Sequence, residues 1–450
     1  MTVPGGFPDG FLFGAATSAY QVEGSPLADG AGPSNWHRFA HTPGAIADGT
    51  DGDAACEHYR LFREDIVLMR GLSLNAYRFS VSWSRVLPEG QGRVNEKGLD
   101  FYRRLVDALR EAGIEPFATL FHWDLPAALE DRGGFLNRDV ADWFAEYASV
   151  VARALPLVGA WATLNEPWVV MHEGFVNGAH PPAHRSLAEA PVAAHNLLRA
   201  HGAGAAACRA EGARRVGLVV NLEPKDPASG SPADAAAAGR ADAYMNRLFL
   251  DPVFFGRYPE ELPATFGAAW PRFPAADFEL VRAPLDFLGL NYYSRNVVRD
   301  DAEVFTRASR VRQTGALHTE MDWEVYPPGL LRTLSWVKAR YGDVPLYVTE
   351  NGAAFSDPQV APPSGVADPL RVAYVRDHLR ATREAIARGV DVRGYFVWSL
   401  LDNFEWAYGF SKRFGIVHVD HATQRRTPKA SARFYADVIR SGGAALDAPA

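Results

Sequence analysis

Cysteine is nearly absent: the 450-residue chain has two, Cys56 and Cys208, in no CxxC pair. Alone they hold no metal cluster, and two reduced thiols in a cytoplasmic protein are the expectation. No Lys/Arg block occurs and the net charge is -7. This excludes the basic footprint of a nucleic-acid or anionic-membrane partner. A run of about 18 apolar residues, which a membrane span needs, is missing, as is any N-x-[ST] sequon. The opening "MTVPGGFPDGFLFGAATSAYQ" lacks the basic n-region of a secretion signal, which again predicts a cytoplasmic location. Neither GxGxxG nor GxxxxGK[ST] follows any strand-like run, so dinucleotide and phosphate loops are excluded.

What is present is core material in a regular order. Hydrophobic residues make up 48% of the chain, ample for a large core. Short apolar runs begin at Phe11, Asn75, Glu115, Ala160, Val216, Phe287, Leu346 and Gly394. Their lengths and composition predict strands. Helical patterns lie between them, starting near Ala55, Arg138, Leu187, Ala241, Pro328, Asp368 and Thr427. The clearest is "NEKGLDFYRRLVDALREAG". There Leu99, Tyr102, Leu105, Val106 and Leu109 share one face and Gly113 ends the run. Eight strand signals, each followed by a helix, predict an α/β fold, a single-domain (β/α)8 TIM barrel over residues 1–450 with extended βα loops. The Pro/Ser/Gly-rich "EPKDPASGSPAD" and "DPQVAPPSGVADP" read as such loops.

In this architecture the strand C-termini converge on one face, where catalytic groups gather. The strand ends carry Arg78, His122-Trp123-Asp124, Asn165-Glu166, Asn291-Tyr292-Tyr293, Glu350-Asn351 and Trp398, then Asp402, Glu405 and Trp406. Each has a structural reading. Pro167 could simply stop a ladder, Arg78 could be an ion-pair partner, and His122, without a second His or Cys at metal spacing, a core histidine. Their joint occurrence at matching strand ends favours function, because every buried polar group needs a partner. Carboxylates and amides hydrogen-bond hydroxyls, and indoles stack on the C–H face of a pyranose. The set predicts a sugar site.

"TLNEPW" (163–168) and "YVTENG" (347–352) closely resemble the acid/base and nucleophile signatures of glycoside hydrolase family 1, the β-glucosidase family. "FLFGAATSAYQVEG", "YRFSVSWSRVLPEG", "ATLFHWDLP", "FLGLNYYS" and "WSLLDNFEWAYGFSKRFGIVHVD" resemble that family too, in order, over nearly the whole chain. The resemblance implies Glu166 as general acid/base and Glu350 as nucleophile, with Arg78 and Tyr293 holding Glu350 ionised. It implies Gln21, His122, Asn165 and Glu405 as partners of glycone hydroxyls, Trp123, Asn291 and Trp406 beside them, and Trp398 as a stacking floor. Phe414 belongs to the same binding set, and Trp168 and Trp323 to the aglycone wall. The implied substrate is a small-molecule β-glycoside, with no metal and no cofactor. Two other readings stay open. A 6-phospho-β-glucosidase would carry Ser at 405 with a downstream Lys and Tyr, and Glu405 would repel a phosphate dianion. A non-catalytic sugar- or protein-binding relative would have lost one carboxylate. "GAHPPAHRS" departs from the family's usual Pro-Gly turn at Pro182-Ala183.

Overall fold

In the computed structural model, which describes residues 6–448, all eight predicted strands form. They are β1 (Leu12–Ala16), β2 (Ala76–Ser80), β3 (Glu115–Phe121), β4 (Ala160–Asn165), β5 (Val216–Asn221), β6 (Phe287–Asn291), β7 (Leu346–Asn351) and β8 (Val392–Trp398). Each pairs in parallel with its sequence neighbours, and β8 returns to β1 to close the barrel. Nearly every strand residue is buried, as expected of strands covered on both faces.

The outer ring is α1 (His58–Gly71), α2 (Glu96–Glu111), α3 (Val140–Ala154), α4 (Ala190–Ala210), α5 (Pro232–Asp242), α6 (Leu248–Phe255), α7 (Pro327–Tyr341), α8 (Pro369–Ala387) and α9 (Ala430–Arg440). The predicted stripe on α2 is buried at every position, and Gly113 takes φ 73 just past the helix. The expected helix near Ala241 starts nine residues earlier, so "EPKDPASGSPAD" is only partly a loop. Ser231 accepts from the Asp234 N–H at 3.1 Å and Pro232 opens the helix, a cap and start that alanines 235–238 extend. Lys225–Pro227 adds a short strand against Asn296–Arg299.

The barrel interior is packed, not hollow. Phe117, Phe287, Tyr347 and Phe396 meet edge to face, with Phe117 centroids 5.2–5.7 Å from the other three. This aromatic plug closes the floor beneath the rim where the polar residues gather. Among the described residues no helix is long and apolar enough to cross a membrane. Cys56 and Cys208 are buried free thiols.

Candidate active site

Period-two alternation divides the predicted rim residues into two sets. Arg78, Asn165, Asn291 and Glu350 point into the barrel and meet one another. Tyr292 and Asn351 point outward: the Tyr292 hydroxyl donates to the Tyr326 carbonyl at 2.6 Å, and Asn351 bonds Tyr292 O and the Tyr374 and Tyr395 hydroxyls. Asp402 faces Arg413 and Lys429. Asp124 is buried, and its Oδ1 meets no protein partner. Tyr292, Asn351 and Asp402 are therefore structural, and the inward set is smaller than the rim pattern suggested.

Both glutamates follow irregular pairing. The β4–β5 register shifts between Ala162 and Asn165, and the β6–β7 register shifts between Val348 and Glu350. Such shifts re-aim a side chain at a strand end. Glu166 then sits at φ 46, left-handed, with Pro167 opening a short helix behind it. Trp123 at φ 82 and Trp406 at φ 49 share that unfavourable region. Local strain concentrated at one rim is tolerated where surrounding structure enforces it.

One network ties the glutamates together. Arg78, fully buried, donates to Glu350 Oε1 at 2.6 Å and to Asn165 Oδ1 at 2.6 Å through its two terminal nitrogens. Asn291 Nδ2 donates to the same Asn165 oxygen at 3.1 Å and to Glu166 Oε1 at 2.7 Å. The Tyr293 hydroxyl donates to Glu350 Oε2 at 2.7 Å, and Thr349 fixes the far side of Asn291 at 2.7 Å. Glu350 thus holds a guanidinium and a phenol, while Glu166 holds one neutral amide. Burial and then the charge of Glu350 push the Glu166 carboxyl up to about 8. Burial raises Glu350 too, but Arg78 and Tyr293 oppose it. The first proton to leave this pair is that of Glu350. Burial raises both carboxyls, so the difference between them comes from their partners.

Around this pair lie further buried polar groups and aromatic rings. Asn165 Nδ2 donates to His122 Nε2 at 3.0 Å, which puts the His122 proton on Nδ1. That Nδ1 is buried and meets no protein group. Burial and the nearby Arg78 hold His122 neutral. Gln21 Nε2 donates to Glu405 Oε2 at 3.4 Å, and burial and Glu350 raise Glu405 to about 8. The Trp123 indole N–H donates to the Asn165 carbonyl at 2.9 Å. Its ring packs 4.6 Å from Trp406, and His122 stacks on both Trp398 and Trp406. Phe414 and Trp323 pack beside Tyr293. The Trp168 N–H is buried and unpartnered.

These groups open into a cavity of about 400 Å³ bounded by Trp168, Trp323, Trp406, Glu173, Asn221 and Glu223, among others. The glycosyl hydrolase family 1 model matches residues 3–444. The chain belongs to that family. It is 47% identical over 442 residues to β-glucosidase A of Thermotoga maritima, covering 97% of this chain and 98% of the relative. It is 43% identical to a bifunctional β-D-glucosidase/β-D-fucosidase of Bifidobacterium breve, over 95% and 97%. A solved family 1 β-glucosidase from T. maritima superposes with a TM-score of 0.95 at 47% identity, covering 98% and 99%, and another, holding noeuromycin, with 0.94. In this family 1 chain, β5 is the strand end from which the sequence reading took no candidate. Yet Asn221 and Glu223, two apart at that end, line the cavity, and Asn221 Oδ1 is buried without a partner. Polar residues at period two after an apolar strand were the available signal. The departure at Pro182-Ala183 leaves Ala183 at φ 63, where glycine is more at ease.

Proposed function

We propose that the chain is a retaining β-glucosidase in which Glu350 is the nucleophile and Glu166 the general acid/base. The observation that carries this reading is the shared network that gives two buried carboxyls unequal partners. Glu350, the easier to ionise, attacks the anomeric carbon while Glu166 gives its proton to the departing glycosidic oxygen. The C–O bond to the aglycone breaks and an ester to Glu350 forms. Esterification removes the Glu350 charge, one of the causes that raise Glu166. Glu166 then takes a proton from water, whose oxygen attacks the anomeric carbon and frees Glu350. Asn165 Nδ2 has a second hydrogen for the sugar 2-OH, where hydrogen bonds strengthen in the transition state. His122 Nδ1, Gln21 and Glu405 take the other glycone hydroxyls, and Trp398 and Trp406 their ring faces.

The reading favours an unphosphorylated glycone. Glu405 stands where a 6-phospho-β-glucosidase would carry Ser, and Lys412, the nearest downstream lysine, donates to the Glu320 carbonyl at 2.9 Å. Retention of both carboxyls supports an enzyme over a binding relative. The β-glucosidase names of the relatives support glucose. Two buried free thiols support a cytoplasmic location.

Glu350→Ala is expected to abolish turnover of p-nitrophenyl β-D-glucoside. Added azide should restore release of nitrophenol and yield the α-configured glycosyl azide. Wild-type rates in this variant would sink the assignment. Glu166→Ala should slow substrates with poor leaving groups far more than activated aryl glucosides. Equal losses would remove Glu166 from the acid role. Running wild type on aryl glucoside, fucoside and 6-phosphoglucoside in parallel orders the glycones.

A further inference from the structure

Behind the sugar site, the short helix Asn35–Ala40 and the turn at 51–53 bring together three groups that the reaction does not use. His37 and His41 stand four apart, so their rings share one helix face, with centroids 4.5 Å apart. Asp53 lies opposite: Oδ1 is 3.6 Å from His37 Nε2, and Oδ2 is 3.3 Å from His41 Nε2. The ligand atoms of the three residues lie within 4.8 Å of one another. Asp51 Oδ2 is 3.9 Å from His41 Nε2.

We propose that His37, His41 and Asp53 bind one divalent transition-metal ion, zinc by the character of the ligands, with Asp51 or water completing a tetrahedron. Two imidazoles and a carboxylate are a borderline-soft set that suits zinc better than calcium or magnesium. With metal–ligand bonds near 2.0–2.1 Å, the edges of such a tetrahedron are about 3.3 Å. Both His–Asp separations are near that edge already, and rotation of the partly exposed rings closes the remainder. The outer contacts agree. His41 Nδ1 lies 2.7 Å from the His37 carbonyl and donates to it, which leaves the Nε2 lone pair facing Asp53. Asp51 Oδ1 accepts the Asp53 N–H at 3.0 Å, and the Asp53 carbonyl accepts the Ser25 N–H at 2.7 Å, fixing the turn.

The ion would join two segments that both lead to the sugar pocket. Trp36, beside His37, packs 4.6 Å from Trp406. From the other segment, Ala47 N–H donates to the Ala407 carbonyl at 2.8 Å and Asp48 accepts the Phe410 N–H at 2.7 Å. The proposed site is a clip across the back of the wall that carries Trp406. Its consequence is stability linked to metal binding. The competing account is a plain His–Asp ion pair that needs no metal.

The test uses full-length protein stripped with a chelator, then titrated calorimetrically with ZnCl2 and followed by thermal unfolding. One equivalent should bind and raise Tm. His37→Gln and Asp53→Asn, each at residues outside the catalytic network, should weaken binding by at least about tenfold, since even an outer partner's loss costs that much. Both should keep the metal-free kcat/KM of wild type, which shows that they fold. Co2+ should give the intense visible bands of a four-coordinate ion in wild type and lose them in both variants. If wild type and variants respond identically to zinc, or if Co2+ shows only the weak bands of a hydrated ion, the site is an ion pair and the proposal fails.

Discussion

Two clusters of buried charge stand a few residues apart along the chain and behave in opposite ways. In the active site three carboxyls, Glu166, Glu350 and Glu405, stand with one cation, Arg78, which pairs with Glu350. Behind it, Asp357, Asp368 and Asp402 meet Arg371, Arg413 and Lys429, three against three. Every pair in the second cluster is 2.6–2.9 Å apart, and Lys429 bridges Asp357 and Asp402. Both clusters are buried. Burial pushes Asp402 up as it does Glu166, yet Lys429 and Arg413 overcome it and hold Asp402 below its ordinary range. Glu166 has no cation of its own and stays protonated to about 8. Burial is common to both; pairing decides whether a carboxyl becomes a strut or an acid. The paired cluster also ties the loops after β7 and β8 to the start of α9, and the β8 loop delivers Glu405 and Trp406.

Replacing one ionisable member should therefore have opposite signs in the two places. The largest expected effect on stability is Lys429→Met, which leaves two buried aspartates short of a partner. A loss of about 3–5 kcal/mol is expected on breaking such a buried pair, measured by urea unfolding at pH 7. A loss near zero would mean that the arginines alone hold the cluster and that pairing is not its organising feature.

Glu166→Gln tests the other side. Folded Glu166 keeps its proton to about 8, whereas an unfolded glutamate releases it near 4.5. Between these values the folded state binds more protons, so stability falls as pH rises. The amide removes that slope. The variant should match wild type near pH 4.5 and exceed it by a few degrees in Tm toward pH 8, while losing the turnover of unactivated glucosides. The wild-type rate should decline as pH passes through about 8, where the acid loses its proton. A Tm advantage that shrinks with rising pH would contradict the protonated acid.

The contrast also marks what a reader of residues alone can see. All eight strands and the inward set Arg78, Asn165, Asn291 and Glu350 were legible, because apolar runs and their polar endings are local patterns. Asp402 and Asn351 were misread as rim residues, since a strand end does not reveal which of two adjacent side chains faces inward. Lys429 and Asp357 gave no signal, because their pairing joins residues 72 apart through the fold. Glu223 did carry a signal, the period-two polar pair with Asn221 at the end of β5; the fold then holds it at the cavity through bonds to Lys225 and Asn296. The burial that raises both glutamates was not legible either, for burial is a property of the closed barrel and not of any short motif.

The smallest effect sets the floor of the comparison. Glu384 and Arg388 stand four apart near the end of α8, Nε to Oε1 at 2.8 Å, with side chains 50% and 60% exposed. The pair has the favourable order, acid before base along the helix, and a geometry as good as any in the buried cluster. Water solvates both ions before and after folding, salt screens them, and two long side chains lose freedom to meet. Glu384→Gln should cost no more than about 0.5 kcal/mol in urea unfolding, shrinking further in added salt. If it cost as much as Lys429→Met, distance and geometry rather than burial would govern these pairs. The opposite signs expected at Glu166 and Lys429 would then have no common cause.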